Sequence, residues 1–111
     1  MSLDVLDVAM RLLRIPSTTG AEAAVVADVA TLLAELGWTV QRQPVVGDRE
    51  NLYATRGLPY LVFSTHLDTV PPYLPPRIDG GVLHGRGSCD AKGLAAAMIV
   101  AAQRLADEGE E

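Results

Sequence analysis

The sequence has a single cysteine, Cys89, and lacks any cluster of basic residues. One cysteine cannot form an internal disulfide. Nine Lys plus Arg against 14 Asp plus Glu give a formal net charge of -5, which disfavours nucleic acid and anionic membranes as partners. No apolar run approaches the roughly 18–20 residues that span a bilayer, and the N-terminus is acidic where a signal peptide is basic. These absences predict a cytoplasmic protein with neither a nucleic-acid nor a membrane partner.

The length and hydropathy of the chain predict one small folded domain. Its 111 residues are 49% hydrophobic, with a mean hydropathy of +0.19. A chain of this size is long enough for one hydrophobic core and too short for two.

Three segments have the pattern of helices. The first runs from Leu3 to Leu13 before Pro16, and its predicted apolar face comprises Leu3, Leu6, Met10 and Leu13. The second begins at a predicted capping box of Thr19 and Glu22 and stops at Gly37. Its apolar stripe comprises Val25, Val26, Val29, Leu32, Leu33 and Leu36. The third, over 93–109, has the alanine-rich composition of a buried helix.

Strand patterns lie between the second and third helices. Alternation predicts strands over 38–45 and 51–56, joined by a turn at 47–51. The unbroken apolar run within 59–64 predicts a central parallel strand. A proline-rich stretch over 71–81 predicts an irregular loop, followed by a brief strand or turn over 82–87. The order of elements predicts an α/β fold with a mixed, mostly parallel sheet flanked by helices.

His66 and Asp68 directly follow the predicted central strand. In open α/β sheets, ligands bind beyond the carboxyl ends of the strands. A histidine can bind zinc through one ring nitrogen while a carboxylate on the other nitrogen fixes its tautomer. A short motif of this kind has a high false-positive rate, so the alternative that both residues only cap a strand end and a turn stays open.

The segment "GRGSCDAKG", residues 85–93, provides a second polar candidate, Asp90. A carboxylate between a glycine loop and a helix can bridge two metal ions, which activate a water and polarise a carbonyl. It can equally cap the helix. A phosphate-binding P-loop is excluded because Lys92 precedes Gly93, and a nucleophile elbow is excluded because no glycine occupies position 90.

Together, "THLDTVPP" and "GRGSCDAKG" resemble the two N-terminal signatures of a zinc hydrolase superfamily. Its members include acetylornithine deacetylase, succinyl-diaminopimelate desuccinylase, aminoacylase and glutamate carboxypeptidase. The opening "RIPSTTGAE" also resembles the start of these enzymes. The resemblance implies that residues 1–111 are the N-terminal part of a zinc-exopeptidase-like catalytic domain. The rest of that domain and a dimerisation domain would then be absent, and the intact protein would be a homodimer.

The resemblance also implies roles for individual residues. His66 would be a ligand to one zinc, Asp68 the catalytic-site carboxylate that orients it, and Asp90 the bridge between two zinc ions, with cobalt a possible substitute. The peptide bond between Asp90 and Ala91 would be cis. The general-base glutamate and the remaining metal ligands would lie beyond residue 111. We reject Glu110 and Glu111 for these roles because a helix end precedes them.

Four other polar residues near the motifs are expected to be structural. His84 occupies a position where similar enzymes often have an aromatic residue. Cys89 is expected to point into packing, and Arg86 and Lys92 to support the glycine loop rather than contact substrate.

The resemblance therefore implies a dinuclear zinc hydrolase that cleaves the amide of an N-acyl amino acid, similar to acetylornithine deacetylase. Two alternatives stay open: a dipeptidase or carboxypeptidase of the same superfamily, and a catalytically incomplete fragment that acts only as a structural module. Under the main prediction and under both alternatives, we expect residues 1–111 alone to be inactive.

Overall fold

The structure is a computed structural model that describes residues 3–57 and 62–108. Its elements are, in order, α1 (Val5–Leu13), α2 (Ala23–Glu35), β1 (Thr39–Val46), β2 (Arg49–Thr55), β3 (Arg77–Asp79), β4 (Val82–His84) and α3 (Lys92–Asp107). β1 pairs with β2 and β3 with β4, both antiparallel. This part of the chain is thus α/β, as predicted. Its parallel pairing is confined to an isolated bridge between Thr18 and Thr69.

α1 forms where it was predicted, but it buries a different face. Its first turn is capped by the Asp4 carboxylate, which accepts a hydrogen bond from the Leu6 amide at 2.8 Å. Leu6 itself is 41% exposed. The buried residues are Val8, Ala9, Leu12 and Leu13. The predicted face is wrong for Leu6, whereas Leu13 is buried and Leu3 is partly buried against the core. The face that α1 buries also has helical spacing in the sequence, so the local pattern contained it and the prediction selected Leu6 instead.

α2 confirms the predicted apolar stripe, of which all but the half-buried Leu36 are buried. The predicted capping box of Thr19 and Glu22 does not form. The helix begins at Ala23, and its N-cap, Glu22, makes no side-chain capping bond. The Glu22 carboxylate instead accepts hydrogen bonds from the Gly20 amide at 2.7 Å and from Arg49 at 2.5 Å. The Thr19 hydroxyl donates to Asp68 rather than to the helix.

The β1–β2 hairpin confirms the two predicted strands, but β2 begins at Arg49, so the turn is shorter than the predicted 47–51. Thr39 lies opposite Thr55, and the register shifts between Pro44 and Val46. A proline cannot donate to the ladder of hydrogen bonds, so an irregular register beside it is expected. The hairpin packs against α2.

The region between β2 and α3 departs most from prediction. Residues 62–64 form no strand, and Val62 is 78% exposed. The predicted strand is therefore wrong over 62–64, and residues 59–61 lie outside the described residues. A strand needs a hydrogen-bonded neighbour as well as an apolar sequence, and no described segment pairs with 62–64.

The proline-rich loop contains a short strand that was not predicted. β3 pairs with β4 through a turn at Gly80 and Gly81, whose φ angles are +58° and +80°. Consecutive residues with positive φ are typical of a type I′ hairpin turn. The brief strand predicted after the loop is confirmed as β4.

The hydrophobic core is built from buried residues of all three helices. It comprises Val8, Ala9, Leu12, Val25, Val26, Val29, Leu32, Leu33, Ala95, Ala96 and Val100. Trp38 joins the hairpin to this core, because its indole N–H donates to the buried Gln103 of α3 at 2.8 Å. Among the described residues, no helix is long and apolar enough to cross a membrane.

Two leucines of α1 provide a matched test of this packing. Leu12 is completely buried, whereas Leu6 is 41% exposed. We expect Leu12→Ala to lower the free energy of unfolding of the whole protein by about 3 kcal/mol, because it leaves a cavity in the core. Leu6→Ala should change it by less than about 1 kcal/mol. Urea unfolding of both variants checks this, and equal losses would show that α1 packs through another face.

Candidate functional site

The three residues predicted to carry the chemistry lie around one cleft of about 290 Å³. It is lined by His66, Asp68, Thr69, Val70, Gly85, Arg86, Gly87, Ser88, Cys89 and Asp90. The cleft thus forms between the segment that follows residue 62 and the glycine loop before α3. The structure brings together the two motifs that are separated in sequence.

The His66 ring lies between two carboxylates. Its Nδ1 atom is 3.1 Å from Oδ1 of Asp68, and its Nε2 atom is 3.1 Å from Oδ1 of Asp90. Nδ1 is also 3.1 Å from the backbone carbonyl oxygen of Asp68. The Asp90 side chain is 85% exposed and the Asp68 side chain 35%. One ring nitrogen therefore faces a more enclosed carboxylate, and the other faces the open cleft.

The groups around His66 and Asp68 shift the pKa values of both side chains. Partial desolvation opposes the positive charge on His66, but Asp68 and Asp90 outweigh it and raise the pKa of the imidazole. The hydrogen bond from the Thr19 hydroxyl is the main cause that lowers the pKa of Asp68, and the nearby His66 adds to it. Asp68 thus remains an anion that can accept a hydrogen bond from the ring.

The glycine loop holds Asp90 at the start of α3. Gly87 has a φ of +95°, and a Cβ atom there would lie 2.7 Å from Cγ2 of Thr69. Glycine is therefore required for both conformation and space. The peptide bond between Asp90 and Ala91 is cis, as the resemblance implied. The N-cap of α3 is Ala91, with no side-chain capping bond, so Asp90 does not cap this helix.

The neighbouring polar residues are placed mostly as predicted. Arg86 donates to the Pro72 carbonyl at 2.9 Å, and Lys92 to the Ile15 carbonyl at 2.6 Å. Both side chains therefore bond to backbone, as expected of structural residues. Arg86 also lines the cleft, so its lack of contact with substrate stays a prediction. Burial lowers the pKa of Lys92 to about 8. His84 lies in β4 and is not among the residues that line the cleft.

The prediction for the orientation of Cys89 is wrong. Cys89 was expected to point into packing, but it is exposed and lines the cleft. A tight glycine loop turns successive side chains in directions that no sequence periodicity describes, which is why its orientation could not be predicted. Glu110 and Glu111 lie outside the described residues.

The sequence analysis missed the contribution of the segment after α1. Ser17 donates to the Leu67 carbonyl at 2.7 Å, and Thr19 donates to Oδ2 of Asp68 at 2.7 Å. A run of hydroxyl residues after a proline was a signal that this segment forms polar contacts outside a helix. It did not identify a partner 49 residues away.

The donor atoms at the cleft fit part of a zinc site. Zinc binds imidazole nitrogen and carboxylate oxygen at roughly 2.0–2.2 Å, so two tetrahedral ligands lie about 3.4 Å apart. Nε2 of His66 and Oδ1 of Asp90 are 3.1 Å apart, a hydrogen-bond distance that is slightly shorter than this separation. Within residues 3–57 and 62–108, no group of three or more His, Cys, Asp or Glu could hold a metal ion. The described residues thus provide a partial donor set.

Comparison with known proteins agrees with this geometry. Residues 62–111 match the family described as Peptidase family M20/M25/M40. The chain is 43% identical to a succinyl-diaminopimelate desuccinylase of Rhizorhabdus wittichii and 40% identical to one of Maricaulis maris, over 95% of its length in each case. It is 36% identical to a probable carboxypeptidase of Aspergillus clavatus over 87% of its length.

The family match includes His66, Asp68 and Asp90. Together with the 43% identity to a relative over 95% of the chain, this match shows that the chain belongs to peptidase family M20/M25/M40. The chain spans 31%, 30% and 27% of the length of these three relatives.

Proposed function

We propose that the whole protein containing this chain is a zinc-dependent hydrolase that cleaves the amide bond of an N-acyl amino acid. The observation that carries the proposal is the position of His66, with Asp68 on Nδ1 and the exposed Asp90 on the side of Nε2. This is the arrangement of a metal-binding histidine with its orienting carboxylate. The names of the relatives, desuccinylase and carboxypeptidase, support a hydrolytic reaction.

Each of the three residues has a distinct role in this proposal. Asp68 accepts the Nδ1 proton of His66, which leaves the lone pair on Nε2 free for a metal ion. Asp90 has two carboxylate oxygens at the open side of the cleft, enough to bridge two ions. Bound zinc would supply an activated water and a polarised substrate carbonyl. Zinc is the expected metal, and cobalt is expected to replace it.

The rest of the whole protein completes the site in this proposal. The described residues supply fewer donors than the three or four of a zinc site, so further ligands and a general base come from elsewhere. We place them in the remainder of the catalytic domain, which also completes a mixed, mostly parallel sheet. A dimerisation domain makes the whole protein a homodimer. The whole protein acts in the cytoplasm. Residues 1–111 alone are inactive.

The acyl group is the open part of the substrate assignment. The two desuccinylases named above act, by their names, on a succinylated diamino acid. This favours succinyl as the acyl group. Acetyl, as in acetylornithine, is proposed from the sequence resemblance alone. A carboxypeptidase activity on a small peptide is the second candidate, because a probable carboxypeptidase is 36% identical to the chain.

A substrate panel with metal removal and replacement tests the proposal. We expect the purified whole protein to hydrolyse N-succinyl or N-acetyl amino acids faster than dipeptides. Chelation should remove the activity, and zinc or cobalt should restore it. Faster cleavage of dipeptides would favour the carboxypeptidase alternative. Activity that persists after complete metal removal would contradict both.

A further inference from the structure

We propose that Thr19 is a positioning residue that aligns the His66–Asp68 pair for metal binding. The proposal rests on the function proposed above and extends it to a segment outside both sequence motifs. Among the described residues, the Thr19 hydroxyl bonds to Asp68, and the His66 ring nitrogens bond to Asp68 and Asp90. Thr19 acts through Asp68, and the hydroxyl group is the part of its side chain that does so.

The first evidence is the division of the Asp68 carboxylate between two partners. Oδ2 accepts the Thr19 hydroxyl at 2.7 Å, while Oδ1 lies 3.1 Å from Nδ1 of His66. The terminal torsion of an aspartate is broad and weakly defined. A hydrogen bond on one oxygen therefore fixes the direction of the other, and so fixes the acceptor that faces the imidazole.

The second evidence is that the backbone holds Thr19 beside Asp68. The Thr69 amide donates to the Ser17 carbonyl at 2.8 Å, and the Thr19 amide donates to the Thr69 carbonyl at 3.0 Å. The Ser17 hydroxyl donates to the Leu67 carbonyl at 2.7 Å. Asp68 lies between these bonded residues. The Thr19 hydroxyl is therefore held in place by contacts that do not depend on it.

The third evidence links the same segment to the other ligand. The Lys92 ammonium donates to the Ile15 carbonyl at 2.6 Å, and Lys92 is 1% exposed. Lys92 begins α3, directly after the Asp90–Ala91 bond. Residues 15–19 are thus bonded to the start of α3 at one end and to Asp68 at the other, which connects the two sides of the cleft.

Three variants of the whole protein separate this role from a general effect on folding. Thr19→Val removes the hydroxyl and keeps a branched side chain of similar size. Thr19→Ser keeps the hydroxyl. Thr31→Val makes the same change on an exposed face of α2, where the hydroxyl bonds to the Ala27 carbonyl of its own helix. Zinc affinity of the metal-free protein, kcat/KM and the unfolding midpoint are measured for each.

We expect Thr19→Val to weaken zinc binding and lower kcat/KM by about 10-fold, the lower end of the effect of losing a group bonded directly to a ligand, because Thr19 acts through Asp68 and its hydrogen bond is exposed. Its unfolding midpoint should match that of Thr31→Val, and Thr19→Ser should regain most of the zinc affinity. The proposal is overturned if Thr19→Val binds zinc like the wild type, or if Thr19→Ser is as impaired as Thr19→Val. If the wild type itself neither binds zinc nor hydrolyses an N-acyl amino acid, the proposed function fails and this inference fails with it.

Discussion

Replacement of Asp90 by alanine is expected to lower kcat/KM of the whole protein by roughly a thousandfold or more. Metal ions stabilise charge in the transition state by several kcal/mol, and each 1.36 kcal/mol is about tenfold in rate. An aspartate that bridges two ions affects both of them. Its side chain is 85% exposed and its polar contact is to His66, so the loss should appear in activity and metal content rather than in stability.

Asp48→Ala is the matched control for this variant. Asp48 is also an exposed aspartate, but it lies in the turn between β1 and β2. It should leave kcat/KM within about twofold of the wild type, as expected for a surface substitution away from the site. If Asp90→Ala kept activity within tenfold of the wild type, Asp90 would not be a bridging ligand.

Replacement of Gly93 by alanine is expected to destabilise the protein by about 3 kcal/mol. In an exposed helix interior, the same change stabilises by about 1 kcal/mol. Gly93 is the second residue of α3, and a Cβ atom there would overlap the Ser88 carbonyl oxygen. That oxygen belongs to the backbone of the glycine loop, so relief of the overlap requires the loop or the helix to shift. The loop also carries Asp90, so metal affinity should fall as well.

Gly20→Ala separates the steric effect from a general glycine effect. Gly20 has a φ of +94°, and a Cβ atom there would meet nothing within 4 Å. The substitution should therefore cost only the conformational penalty of about 1–2 kcal/mol. Chemical denaturation of both variants gives the comparison. An unchanged or more stable Gly93→Ala protein would show that the loop does not pack closely on α3.

The elements that could be predicted from sequence are those specified by local patterns. The stripe of α2 covers several turns and ends at Gly37, whose φ of +96° suits the stop of a helix. The alternation in β1 and β2 flanks an obvious turn. The alanine-rich run after Lys92 is a helix in the structure. In each case, the local preference and the tertiary packing agree.

The elements that could not be predicted depend on distant neighbours. The buried face of α1 is a different case, because Val8, Ala9 and Leu12 already have helical spacing in the sequence and the prediction selected Leu6 instead. The apolar run at 62–64 has the composition of a strand, but strand formation requires a partner. β3 was not predicted within the proline-rich stretch, because a three-residue strand is too short for alternation to be detected.

The candidate site likewise contains residues that could be predicted from the sequence and one that could not. His66, Asp68 and Asp90 were identified because their motifs are compact, and the structure brings them to one cleft. Thr19 was assigned to a helix cap because a threonine three residues before a glutamate fits a capping box. Its hydroxyl instead bonds to Asp68, which is 49 residues away. Contacts between distant loops cannot be deduced from one sequence without the fold.

The number of zinc ions bound by the purified whole protein, compared between the wild type and His66→Ala, tests the central claim most directly. His66 is proposed as a ligand to one of two ions, through the nitrogen that faces Asp90. Elemental analysis should therefore find that the variant retains fewer zinc ions per chain than the wild type. Equal zinc content in the two proteins, or none in either, would contradict the account.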